Sequence, residues 1–246
     1  MFFSPLDQFE IKPLLMVNNY TTLAMTNYTV YLLVVAAMLM GYMSIMLNVK
    51  LAGSRWSVAM MSMYDTINSL VKSQMGRAGG MFFPLMFTMF NFMFMANTVS
   101  MMPYSFAMSA QVVPMVSFSV SLWLGNVMLG LYMHKWGFFA TFVPSGTPTP
   151  LVPVLVLIET LSFTSRAMSL GTRLGANMLS GHTLMLILGS LMVSLMSSSM
   201  LGFAVGMVPM LAVVAITILE VGMAIMQAYV FSMLLSGYIK DSVSLH

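Results

Sequence analysis

Residues 151–195 read LVPVLVLIETLSFTSRAMSLGTRLGANMLSGHTLMLILGSLMVSL. No proline interrupts this stretch after Pro153, and its glycines (Gly171, Gly175, Gly181, Gly189) are scattered rather than paired into a turn. It stays largely apolar without alternating, which excludes a membrane β-strand, where polar and apolar residues alternate over about ten positions. As a helix rising about 1.5 Å per residue, it is roughly twice as long as a vertical crossing of a ~30 Å hydrocarbon layer requires. The stretch therefore predicts a single long helix, steeply tilted in a membrane.

The rest of the 246-residue chain agrees. It is 59% hydrophobic and only 6% charged, with a mean hydropathy of +0.93, whereas soluble domains carry about 25% charged residues. The expected fold class is an all-α membrane protein of one domain, with about five transmembrane helices and one interfacial amphipathic helix. Residues 1–27 form an N-terminal segment and 28–47 the first span. Residues 50–77 mix Lys50, Arg55, Asp65, Lys72 and Arg77 with Trp56, Met60, Ile67 and Leu70, which suits a helix lying in the interface. Residues 81–133 form a helical hairpin, free of Asp, Glu, Lys, Arg and His, that turns at Pro103 and Tyr104. A Pro/Gly-rich loop follows from His134. Residues 150–240 form a tilted helix pair, broken by the serine-rich stretch from Ser194.

Composition also excludes. Nine basic residues and a net charge of +3 are too few for a nucleic-acid surface, so no nucleic-acid partner is expected. With no cysteine and no histidine cluster, no haem or metal site is recognisable. No P-loop, glycine-rich nucleotide fingerprint or Ser/His/Asp order appears, so no cofactor is expected. Residues 1–20 hold Asp7, Glu10 and Lys12 and lack a basic-then-apolar leader pattern. The 33 methionines against nine isoleucines hint at a mitochondrial reading of an isoleucine codon as methionine. With five spans, Lys50, Arg55, Lys72, Arg77, Lys135 and Lys240 fall on one side and Lys12 on the other. That asymmetry makes the first side matrix or cytoplasm.

Between Ala78 and Ile239 the acids and bases are His134, Lys135, Glu159, Arg166, Arg173, His182 and Glu220. The last five sit at or near membrane depth, where an arginine costs roughly 2.5–3.5 kcal/mol by insertion scales. Glu159, Arg166 and Arg173 are seven apart, so on a helix they drift only about 20° per step. They form one stripe, continued by Asn177 and Ser180. Glu220 and Gln227 repeat the spacing on the last helix. Glu159 and Arg166 can simply neutralise each other, whereas Arg173 has no carboxylate on its stripe within one turn. His182 in a soluble core would be an ordinary satisfied histidine; its depth and a carboxylate on the next helix favour a path.

Titratable residues at separated depths with one arginine between them describe an interrupted proton path. Arginine keeps its proton at any working pH and cannot relay one. It can hold a passing carboxylate ionised, since at about 4 Å and an effective dielectric near 20 the attraction is about 4 kcal/mol, or roughly three pKa units. That carboxylate need not belong to this chain.

An ordered series of motifs then carries a resemblance across nearly the whole chain: SPLDQFEI (4–11), GSRW (53–56), YDTI (64–67), FFPLMFTMF (82–90), ANTVSMMPYSF (96–106), FVPSGTP (142–148), LVLIETLS (155–162), RLGANMLSGH (173–182) and QAYVFSMLLSGYIKD (227–241). The chain closely resembles the family of subunit a of the proton-translocating ATP synthase, in its mitochondrial, fungal form. The resemblance implies that Arg173 is the arginine facing the carboxylate of a rotating c-subunit ring. It implies that His182 and Glu220 line a half-channel from the intermembrane space, and Glu159 and Asp241 one to the matrix. Asn177, Gln227, Arg166 and Asn97 match supporting polar positions. The order HKWG at 134–137 departs from the family's more common KHG, so no role is carried over to His134.

The family fold packs two long tilted helices, about 151–194 and 203–239, against the ring. The implied partners are that ring, other membrane-sector and peripheral-stalk subunits, and lipid. The implied location is the mitochondrial inner membrane, multi-pass, with the C-terminus in the matrix, and the subunit is not an enzyme by itself. A self-contained ion-coupled transporter would need inverted repeats or broken midplane helices, neither of which is visible. A respiratory-complex membrane anchor would not need five polar positions at depth.

Overall fold

The structure is a computed structural model that describes residues 9–16, 24–47, 55–76, 79–102, 105–143, 149–197 and 200–243. It is an all-α membrane protein with one small addition. Among the described residues five helices are long and apolar enough to cross a membrane. They are α1 (Asn27–Leu47), α3 (Gly79–Ser100), α4 (Val112–His134), α5 (Val152–Met196) and α6 (Met200–Val243), while α2 (Arg55–Met75) is of mixed character. The addition, which the sequence patterns do not reveal, is an antiparallel pair of short strands, β1 (Pro13–Met16) and β2 (Ala24–Thr26). Lys50, Arg77, the Pro103–Tyr104 turn and the Pro/Gly-rich loop at 144–148 lie outside the described residues.

The helix ends follow local chemistry. Asn27 opens α1: its Oδ1 accepts the N–H of Tyr28 at 2.9 Å and that of Lys12 at 3.2 Å, so it also ties the strands to the helix. Such a side chain satisfies an orphan N–H of the first turn. Gly76, with φ 59°, follows the last residue of α2 in the left-handed conformation that glycine adopts at no steric cost. Lys135 takes the same region, φ 51°, directly after α4. At 45 and 44 residues, α5 and α6 are each about 66–68 Å long.

The chain forms two compact units. The first comprises residues 1–44, 91–111 and 174–228. Val35 of α1 is fully buried against Ala96 and Val99 of α3 and Met108 beyond it. A second cluster joins Ala107, Ala110, Met178 and Ala224. Small residues dominate because backbone proximity, rather than a hydrophobic drive, holds helices together in lipid.

The second unit comprises residues 45–90, 112–173 and 229–246. In α2 the buried residues Ser57, Met60, Ile67, Leu70, Val71 and Met75 form one stripe, while Arg55, Asp65 and Lys72 are exposed. This is the two-faced pattern of an interfacial helix. Tyr64 packs edge-on to Phe83 and Phe87 of α3, with ring centroids 4.9 and 5.7 Å away. Helices α4 and α5 touch at backbone level: Ser119 Oγ donates to the Ala167 carbonyl at 2.6 Å, and a Cβ on Gly171 would stand 2.7 Å from Val116 Cα. His134 Nε2 lies 3.0 Å from the carbonyl of Val243, the last residue of α6, which gives this histidine a capping role.

Candidate functional site

The polar residues singled out in the sequence fall into two groups, one in each unit. In the first unit α5 supplies His182 and α6 supplies Glu220, and both are almost fully buried, at 6% and 3% exposed. His182 Nε2 stands 3.8 Å from Glu220 Oε1. That is beyond direct hydrogen-bond length, yet close enough for a small ring movement or one bridging water to pass a proton. Neither carboxylate oxygen has a hydrogen-bond partner among the described residues.

Glycine makes the pair possible. A Cβ on Gly181 would lie 2.6 Å from Glu220 Oε1 and 3.0 Å from its Cδ, so the carboxylate occupies space that any other residue would fill. Nearby, Asn97 of α3 is completely buried, and its Nδ2 donates to the Ala224 carbonyl on α6 at 3.2 Å. Gln227 is buried on α6 and Asn177 half-buried on α5.

The second group belongs to the other unit. Arg166 and Arg173 of α5, with Ser165, Ser169, Leu170, Leu234 and Tyr238, line an open cleft of about 450 Å³. Among the described residues the lining holds two guanidiniums, two hydroxyls and a phenol but no carboxylate, so donors far outnumber charged acceptors. Arg166 Nη2 lies 3.9 Å from Glu159 Oε1, both side chains being over two-fifths exposed. Arg173 is exposed and makes no ion pair among the described residues. Asp241 is exposed near the end of α6, three residues after Tyr238, and likewise has no ion pair among them.

Tyr238, Ser165 and Ser169 were missed in the sequence. Ser165 and Ser169 are four apart and flank Arg166, a spacing that shares a helix face, while Tyr238 precedes Asp241 by three. Among the described residues no group of three or more His, Asp or Glu could hold a metal ion.

The model of one family, described as ATP synthase A chain, matches residues 27–240. The chain is 71% identical over 246 residues to "ATP synthase subunit a" of Candida albicans and 66% identical to that of Candida parapsilosis, covering the whole of both proteins in each case. It is 46% identical to "ATP synthase subunit a" of Saccharomyces cerevisiae over 99% of this chain and 96% of that one. The chain belongs to the ATP synthase A chain family. Relatives bearing that name are components of a multisubunit synthase rather than enzymes alone. Membership of the ATP synthase A chain family also fits the multi-pass character of the five long apolar helices.

Proposed function

We propose that this chain is the stationary proton-translocating subunit in the membrane sector of an ATP synthase of the mitochondrial inner membrane. It provides two offset half-channels to a carboxylate on a rotating c-subunit ring, with Arg173 between them. The observation that carries this reading is the state of Arg173: an exposed, permanently charged side chain on a largely apolar helix, in a cleft with no acid among its described lining residues. A guanidinium at membrane depth needs a counter-charge, and an acid arriving from a neighbouring subunit supplies one.

In this scheme a proton from the intermembrane space passes by His182 and Glu220 and neutralises a ring carboxylate, which can then turn through lipid. After nearly a full turn the carboxylate releases the proton toward Glu159 and Asp241, on the matrix side with the C-terminus. Arg173 holds the emptied carboxylate ionised and, unable to relay protons, keeps the two paths separate. The separation matters because the membrane potential supplies about 2.3 kcal/mol per charge per 100 mV, and a leak would dissipate it. Asn97, Asn177 and Gln227 furnish supporting polar groups, and Arg166 modulates Glu159. The long helices α5 and α6 lie tilted against the ring, and peripheral-stalk subunits hold the chain still. Its only bond changes are proton transfers.

The test is Arg173→Ala in the assembled complex. ATP-driven proton pumping should disappear while the amount of complex is retained, and a variant that still pumps in full coupling overturns the barrier role. Glu220→Gln should slow proton uptake at normal assembly.

A further inference from the structure

The imidazole of His182 is buried, yet its Nε2 has no hydrogen-bond partner among the described residues. Packing must therefore set its orientation. One neighbour is an aromatic ring from far away in sequence: Phe9, whose centroid lies 6.4 Å from the imidazole at an interplanar angle of 60°. Edge-to-face contacts of this kind are directional.

Phe9 is itself held in place. Its ring packs against the cluster of Ala107, Ala110, Met178 and Ala224. Its carbonyl accepts a hydrogen bond from Gln111 Nε2, and the backbone N–H of Gln111 bonds back to Met108 across a tight turn. On the other side, the Glu10 carbonyl accepts from Asn27 Nδ2 at 3.0 Å, and the Asn27 N–H donates to the Lys12 carbonyl at 3.1 Å. The peptide around Phe9 is thus tied down at two points, to the start of α1 and to the segment before α4. A stretch without helical or apolar-span character would not need two such ties merely to connect elements.

We propose that Phe9 is a positioning residue for His182. Its ring fixes the imidazole opposite Glu220 and shields the pair from bulk water, and Gln111 anchors Phe9 for that purpose. The consequence for transport rests on His182 and Glu220 being the proton path proposed above; the shielding does not.

The chain has no cysteine, so Leu179→Cys places a single thiol on α5 beside the same cluster. Assembled complex in membrane fragments open on both faces is treated with a hydrophilic methanethiosulfonate reagent, and the mass of this chain is followed. Adding Phe9→Ala should speed modification about tenfold, as expected when local protection is lost. Phe9→Leu should react at close to the parent rate, and Gln111→Met should fall between. ATP-driven pumping per assembled complex should fall in Phe9→Ala and recover in Phe9→Tyr, which keeps an aromatic ring against the imidazole. Parent-like labelling of Phe9→Ala overturns the proposal; if that variant fails to assemble, an unchanged rate in Gln111→Met does so. Normal pumping by His182→Ala would instead remove the proton-path reading and leave the labelling result standing.

Discussion

Glu220 on α6 is seated against Gly181 on α5 so closely that a methyl group on Gly181 would lie 2.6 Å from its Oε1. The seat brings that oxygen to within 3.8 Å of His182 Nε2. The contact is with the free end of a flexible side chain, which can move aside at little cost to folding but not without leaving its partner.

Gly181→Ala should therefore separate stability from function. The assembled complex should persist at near-normal amounts, while ATP-driven proton pumping drops on the order of 100-fold, the cost of a catalytic group misplaced by about 1 Å. Full pumping by the alanine variant would show that the seat is not needed.

Gly171→Ala should do the reverse. Here a Cβ would meet Val116 Cα at 2.7 Å and the Met115 carbonyl oxygen at 2.8 Å, and backbone cannot step aside. Overpacking of this kind costs about 1–3 kcal/mol. A lowered thermal midpoint of the solubilised complex, or less complex in the membrane, is the expected result.

The Glu159–Arg166 pair reports whether its surroundings are wet. At 3.9 Å with both side chains over two-fifths exposed, a water-filled cleft gives a coupling of no more than about 1 kcal/mol. A double-mutant cycle with Glu159→Gln and Arg166→Gln, read by thermal unfolding, should return a value in that range. A coupling of several kcal/mol would mean that the pair is dry.

Asn97→Ala removes a buried hydrogen bond from Nδ2 to the Ala224 carbonyl. Side-chain hydrogen bonds between membrane helices average about 0.6 kcal/mol and reach about 1.7. A modest loss of thermal stability is expected, with α3 and α6 still assembled. No loss in the unfolding midpoint would show that the bond contributes nothing.

The architecture was legible because apolar length alone distinguishes a membrane helix. The run from Leu151 reads as one helix with no break before the serines, and α5 ends at Met196. The strands were illegible because PLLM and AMT are too short to carry a period. What identifies them is their backbone pairing, with Pro13, Leu15 and Met16 opposite Thr26, Met25 and Ala24. For the polar groups, seven-residue spacing put Arg166 and Arg173 on one face, and both line the cleft. Leu234 and Tyr238 could not be foreseen there, since spacing along one helix says nothing of the register of the next. The partner of Asn97 was hidden for another reason: it is a main-chain carbonyl, which every residue possesses. The seat at Gly181 shows itself only once the neighbouring helix is in view.

Two residues before Arg173, the main chains of α4 and α5 meet at Gly171 with no side chain between them, and the Ser119–Ala167 bond clamps the same crossing one turn earlier. On the proposed reading, each passing rotor charge tugs the guanidinium sideways and then lets go. A junction of bare backbone has little compliance, so the load passes straight into a second helix instead of being absorbed by bending side chains. The rigidity of the stator at its most heavily worked point would then depend on one missing methyl group.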